Sequence, residues 1–190
     1  MNNIAIFASG SGTNAENIIQ YFHNHQDIKV RLVLSNNKDA YVLERAKNLN
    51  VETIVFNKDV FYNTNDIIEI LQKEQIDYIV LAGFLWLIPE HFIKAFAYRI
   101  INIHPALLPK YGGKGMYGMN VHKAVINNKE KQSGISIHYV NENYDEGDII
   151  FQASCPVSEN DTPESLAQKI HELEYEHFPK IIEMWIQGGE

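Results

Sequence analysis

The sequence predicts an α/β fold: an open, mostly parallel twisted sheet with helices on both faces, then an antiparallel strand pair and a long C-terminal helix. Three observations predict it. Short, near-continuous apolar runs alternate with helix-patterned segments from Ile4 to Phe96, the pattern of strands buried on both faces and joined by crossover helices. After Pro105 that alternation gives way to a glycine-rich loop. Thr162-Pro163-Glu164 then opens a long final helical stretch.

In order, the first five strands are read at Ile4–Ala8, Val30–Leu34, Thr53–Phe56, Tyr78–Leu81 and Arg99–Ile103. Each is an apolar run too short for a buried helix. Between them, Ala15–Phe22, Val42–Leu49, Asn65–Gln75 and Glu90–Phe96 carry helical spacing. Leu107–Gly118 is a loop, since it holds Pro109, Gly112, Gly113, Gly115 and Gly118. A helix over Val121–Asn127 follows. Gly134–Val140 and Asp148–Ala153 read as two more strands, joined by a turn at Asn141–Gly147. Asp161 or Thr162 caps the last helix, with Pro163 at its first position. It runs to about Gln187, where Gly188-Gly189 ends it, and Pro179 is expected to kink or divide it. No repeat, low-complexity tract or linker interrupts the 190 residues, so a single domain is expected.

Bulk chemistry narrows the function classes. Apolar residues make up 45% and charged residues 21%, as in ordinary globular proteins. The net charge of −8 argues against nucleic-acid binding through a basic surface. A small anionic ligand stays open, because backbone N–H groups hold anions without net positive charge. The single Cys155 excludes an internal disulfide and a multi-cysteine zinc site, and in its apolar setting it reads as a core residue. The apolar start is too short for a signal segment or a membrane span, so a cytoplasmic protein without membrane association is expected.

Two motifs carry chemistry. Gly10-Ser11-Gly12-Thr13-Asn14-Ala15 follows the first strand and opens the first helix. Glycines allow a tight turn, and the exposed helix N–H groups favour a phosphate. The spacing also fits the dinucleotide fingerprint G-x-G-x-x-A, but the second strand ends Leu34-Ser35-Asn36-Asn37, without the acid that reading wants. A purely structural turn is the remaining alternative. The second motif is Ile100-Ile101-Asn102-Ile103-His104-Pro105. Residues i and i+2 of a strand share a face, so Asn102 and His104 project together at a strand's carboxyl end, where ligands of open α/β sheets gather. Of eight histidines, His104 is the one so placed. No pair of histidines has metal-ligand spacing, and no metal is expected. Asp145 lies in Tyr144-Asp145-Glu146-Gly147-Asp148. It is either a solvated turn residue or a carboxylate that orients His104 and favours its protonated form.

Together these blocks carry a resemblance. Ala8-Ser9-Gly10-Ser11-Gly12-Thr13-Asn14, Leu81-Ala82-Gly83-Phe84, Asn102-Ile103-His104-Pro105-Ala106-Leu107-Leu108-Pro109-Lys110-Tyr111 and Asp145-Glu146-Gly147 occur in that order. Over essentially its whole length the chain resembles the folate-dependent formyltransferases, and within them the phosphoribosylglycinamide formyltransferases of de novo purine (IMP) synthesis. The resemblance implies a Rossmann-like formyltransferase fold, with residues 1–104 as a nucleotide-binding half and 105–190 as a folate and catalytic half. It implies direct transfer of the formyl group of 10-formyltetrahydrofolate to the amine of glycinamide ribonucleotide, without metal, through a tetrahedral intermediate. Asn102, His104 and Asp145 match the catalytic trio. Ser11, Gly12, Thr13 and Asn14 match the loop that holds the ribonucleotide phosphate, and Glu174, with His171 nearby, a contact to the glycinamide substrate. Leu85, Trp86, Leu87 and Ile88 match the pterin-pocket segment, and Val140, Asn141 and Tyr144 belong to its other wall. Thr64 falls near a folate-contacting arginine of some members, and Trp86 stands where arginine is frequent. Ala106 replaces a frequent serine, and Asp148 replaces the proline of D-x-G-P. The expected partners are two small molecules, with no nucleic acid and no membrane; a homo-oligomer is compatible.

Three rival readings stay open. A methionyl-tRNA formyltransferase carries a C-terminal RNA-binding domain, and this chain is expected to end after one long helix. A formyltetrahydrofolate hydrolase carries an extra N-terminal domain, whereas Met1 leads straight into the first strand. A catalytically silent nucleotide-binding module has no need of an imidazole beside a carboxylate.

Overall fold

The computed structural model describes residues 1–188; Gly189 and Glu190 lie outside the described residues. One seven-stranded sheet runs in the order β3-β2-β1-β4-β5-β6-β7. The strands are β1 (Asn2–Phe7), β2 (Ile28–Ser35), β3 (Glu52–Val55), β4 (Tyr78–Leu81), β5 (Ile100–His104), β6 (Gln132–Tyr139) and β7 (Ile149–Pro156). All pairings from β3 to β5 are parallel, and β6 and β7 are antiparallel. The helices are α1 (Thr13–Tyr21), α2 (Val42–Asn48), α3 (Lys58–Asn63), α4 (Asp66–Lys73), α5 (Glu90–Ala95), α6 (Met119–Asn127) and α7 (Pro163–Gln187).

The strand periodicity divides the core into two layers. Ile4 and Ile6 pack on one face with Ile18 of α1, Val42 of α2, Val125 of α6 and Phe178 of α7. Ala5 and Phe7 pack on the other with Phe61 of α3, Leu71 of α4 and Phe92 of α5. Each such fully buried Ile or Phe stabilises the fold by about 1.5–3 kcal/mol. The sheet order reverses between β1 and β4, which opens a crevice beyond their carboxyl ends.

Three elements depart from the sequence expectation. α3 is absent from it, because six residues span too few turns to show a periodicity. Asn57 starts this helix, its side chain accepting from Val60 N at 3.0 Å. β7 continues three residues beyond Ala153, and Pro156 is tolerated there because β7 is an edge strand. Finally, Pro179 does not divide α7, which runs unbroken over 25 residues. A proline frees the carbonyl four residues earlier. That carbonyl, of Tyr175, accepts from Asn17 Nδ2 of α1 at 3.0 Å. The missing intrahelical bond is thus replaced by a contact that fastens α7 to α1.

Candidate active site

Two loops meet in the crevice. After β1 the chain passes through Ser9 and the exposed Ser11 into α1. Gly12 sits at φ 75°, and a Cβ on it would lie 2.4 Å from Val42 Cβ, so glycine is required twice over. No side chain caps α1. The first-turn N–H groups, those of Thr13 and Asn14 included, therefore lack a side-chain acceptor at the positive end of the helix. The loop after β4 is stitched to this one by Ser9: its N–H donates to Gly83 O, and its Oγ accepts from Leu85 N, both at 3.0 Å.

Leu85 is 45% exposed, whereas Ile88 is buried. Between them Trp86 packs against Phe56, Phe61 and Phe84, with ring centroids about 6 Å apart. Tyr62 was not foreseen; its hydroxyl donates to Leu87 O at 3.1 Å and ties α3 to this segment. Val140 packs against the core layer that also holds Phe56 and Phe61, and Tyr144 is exposed. Asn141 Oδ1 accepts from Asn143 N at 3.0 Å and shapes the turn. The Thr64 hydroxyl is occupied locally, donating to Val60 O and accepting from Asp66 N.

The polar centre lies at the end of β5. Asn102 and His104 stand two apart on that strand, and the turn before β7 delivers Asp145 to both. Asp145 Oδ1 accepts from Asn102 Nδ2 at 3.4 Å, and Oδ2 accepts from Gly113 N at 2.9 Å. His104 Nδ1 lies 3.5 Å from Oδ2. Asp145 itself sits at φ 58°, in the left-handed region that Asp tolerates better than most residues. The turn closes on Gly147, where a Cβ would meet Tyr139 O at 1.7 Å. Asp148, the residue that replaces the usual proline, joins the ladder: its carbonyl accepts from Tyr139 N at 2.9 Å.

His138 is the member that sequence reasoning missed. It lies opposite Asn102 across the β5–β6 pairing, at a register shift between β6 and β7. Asn102 Nδ2 is 3.1 Å from His138 Nε2, and His138 Nδ1 is 2.7 Å from Tyr139 O. A carbonyl only accepts, so Nδ1 carries the proton and Nε2 accepts from the amide. By the same reasoning His104 Nε2 donates to Tyr111 O at 2.7 Å, which leaves Nδ1 facing Asp145.

Protonation follows from burial. His104 is 3% exposed. Desolvation lowers its pKa below the usual 6.5, although Asp145 and the Tyr111 carbonyl both pull it upward. Asp145 does favour the protonated form of His104, as expected, but burial outweighs the carboxylate. Burial also works against charge on Asp145, but the His138 ring at 3.6 Å, the His104 ring at 3.5 Å and Gly113 N–H together hold its pKa below the ordinary value. The resting pair is a neutral imidazole beside a carboxylate.

A second polar cluster joins α1 to α7. Asn14 Nδ2 donates to Glu174 Oε2 at 2.9 Å, and His171 Nδ1 lies 2.8 Å from the same oxygen. That bond raises the His171 pKa. Glu174 is buried, and Asn14 Oδ1 is buried without a partner. A cavity of about 370 Å³ lies beside Asp145, bounded by Leu108, Pro109, Gly112, Gly113, Tyr144 and Ile149. Cys155 is half-buried, and burial pushes its thiol pKa up, as suits a packing residue. Among the described residues no helix is long and apolar enough to cross a membrane.

Comparison with known proteins identifies the family and the fold. Residues 2–182 match the formyl transferase family model. The chain is 38% identical over 185 residues to a chloroplastic phosphoribosylglycinamide formyltransferase of Arabidopsis thaliana, covering 94% of this chain but only 63% of that relative. It is 37% identical over 193 residues to the phosphoribosylglycinamide formyltransferase of Haemophilus influenzae, covering 99% of this chain and 89% of the relative. The crystal structure of glycinamide ribonucleotide transformylase 1 from Symbiobacterium toebii superposes with a TM-score of 0.89 at 33% identity, over 99% of this chain and 89% of that one. The chain therefore belongs to the formyl transferase family, among the phosphoribosylglycinamide formyltransferases.

Proposed function

We propose that this protein transfers the formyl group of 10-formyltetrahydrofolate to the amine of glycinamide ribonucleotide, a step of purine synthesis. The observation that carries the reading is the convergence of Asn102, His104 and Gly113 N–H on the Asp145 carboxylate, beside an open cavity. In this reading Ser11, Gly12, Thr13 and Asn14 seat the phosphate, and Glu174 with His171 contacts the rest of the nucleotide. Leu85–Ile88, Val140, Asn141 and Tyr144 enclose the folate, with Thr64 at its margin. Residues 1–104 then form the nucleotide half and 105–190 the catalytic half, bridged by Asn14 and Glu174.

The neutral amine attacks the formyl carbon. The developing oxyanion takes a hydrogen bond from Asn102 Nδ2, in exchange for that group's long contact to Asp145. Such a donor contributes about 2.7–4 kcal/mol. His104 Nδ1 accepts the amine proton, and Asp145 stabilises the imidazolium. The same proton then goes to the folate N10 as the C–N bond breaks, a general acid–base contribution of about 10²–10⁴-fold. Holding both substrates in one crevice supplies much of the remainder.

A spectrophotometric assay decides. Deformylated folate should be released only when protein, 10-formyl folate and glycinamide ribonucleotide are all present. Release without the nucleotide would indicate a hydrolase. No release would indicate a silent binding module or an enzyme acting on tRNA.

A further inference from the structure

The anion-binding loop does not hold its shape alone. Three consecutive residues of it are gripped by the start of α2. Val42 N donates to Gly10 O at 3.1 Å. Arg45 Nε donates to Ser11 O at 2.9 Å. Gly12 abuts Val42 so closely that a Cβ would overlap it. The Arg45 guanidinium also pairs with the Glu16 carboxylate and lies 4.9 Å above the Tyr41 ring.

Glu16 makes that pairing consequential. It stands in the first turn of α1, among the N–H groups that face the loop. An uncompensated carboxylate there would repel a phosphate dianion. Arg45 cancels that charge while its other arm keeps the Ser11 carbonyl turned toward α2. A carbonyl turned into the loop would be a second repulsive group. A planar fork with fixed donor directions suits both tasks, which a single ammonium does less well.

We propose that Arg45 is the positioning residue of the phosphate seat: it clamps the Ser11 carbonyl and neutralises Glu16, so that the loop accepts a phosphomonoester. This rests on the reading that the loop binds the nucleotide phosphate. Arg45 itself does not touch the substrate; it acts through Ser11 and Glu16.

The test combines calorimetry, with glycinamide ribonucleotide and with inorganic phosphate as probes, and steady-state kinetics. R45M should weaken nucleotide and phosphate binding about tenfold, since it frees the Ser11 carbonyl and leaves the Glu16 charge uncompensated beside the anion. Its KM for formyl folate and its kcat at saturation should stay within about twofold of wild type. R45K should be intermediate. E16Q alone should bind the nucleotide at least as well as wild type, and R45M/E16Q should recover part of the lost affinity. Nucleotide affinity unchanged in R45M would overturn the proposal. So would parallel loss of both substrates' KM and of kcat in R45M and R45K, which marks a purely structural role. Wild-type protein that binds the nucleotide without transferring formyl would overturn the functional reading and leave the clamp standing. Wild-type protein that binds neither probe would overturn both.

Discussion

Asn102 of β5 and His138 of β6 stand directly opposite one another, and the amide nitrogen of the first lies 3.1 Å from Nε2 of the second. Because His138 Nδ1 is spent on the Tyr139 carbonyl, Nε2 of the neutral ring accepts, and it orients the Asn102 amide. The amide hydrogens are therefore aimed before any substrate arrives.

His138→Gln should loosen that aim without touching the Gly10–Asn14 loop. Losing one oriented bond of about 1–3 kcal/mol predicts a fall in kcat of about 10- to 100-fold, with nucleotide affinity retained. Steady-state kinetics and nucleotide calorimetry check it; an unchanged kcat would remove His138 from the mechanism.

His104→Ala and Asp145→Asn should each lower kcat by about a thousandfold, since proton transfer and its charge stabilisation both fail. The pH profile carries the sign. The proposed mechanism requires neutral His104, so kcat/KM should rise with pH through a free-enzyme pKa below the ordinary value of about 6.5. The Asp145 charge raises that pKa. In Asp145→Asn the acid limb of the residual activity should therefore move to still lower pH. A limb above about 6.5 in wild type would contradict the burial argument.

Asn17→Ala should leave the Tyr175 carbonyl without its donor and cost about 0.5–1.5 kcal/mol of stability. In that background Pro179→Ala restores an N–H four residues after Tyr175, and part of the loss should return. Denaturant unfolding of the four proteins in the cycle measures the coupling. Purely additive effects would mean that Asn17 does not stand in for the missing helical bond.

Asp161 binds Lys169 Nζ at 2.6 Å, Ser158 N at 2.7 Å and Ser165 Oγ at 2.8 Å ahead of α7. Those bonds, the lysine's first, hold its pKa at about 2, against 3.8 ordinarily. A depressed carboxylate pKa stabilises the fold above the unfolded value, and that stability is lost as pH falls through the folded one. Asp161→Asn should then cost about 1 kcal/mol at neutral pH, a figure held down by the exposure of Lys169. The gap between variant and wild type should close as pH falls from 3.8 to about 2. Thermal melts across that range test it; a gap independent of pH would assign the effect to packing.

Much of this molecule is written locally. The apolar runs from Ile4 to Ile103 predict a parallel sheet because each strand is buried on both faces, and no distant partner is needed to see that. The period of two places Asn102 and His104 on one face, and the glycines before α1 mark the loop. His138 carries no comparable mark. Its alternation with Ser136 is visible, but its place opposite Asn102 depends on a register set by residues 36 positions apart. The Asn141–Gly147 turn names Asp145 as a candidate, while the φ of 58° and the Gly113 bond that aim it arise only in the folded loop.

The sequence by itself determined the order of elements apart from α3, the period-two faces of the strands, and the placing of a glycine loop before α1 and of Asn102 and His104 at one strand end, since these follow from spacing along the chain. The tertiary structure alone decided three things: that α7 passes through Pro179, that Asn102 is aimed by His138, and that His104 rests neutral beside Asp145. Each depends on groups brought together from distant parts of the chain. Asn17 supplies a donor to α7, β6 supplies a cross-strand acceptor, and the surrounding core removes the water that would otherwise favour a charged imidazole.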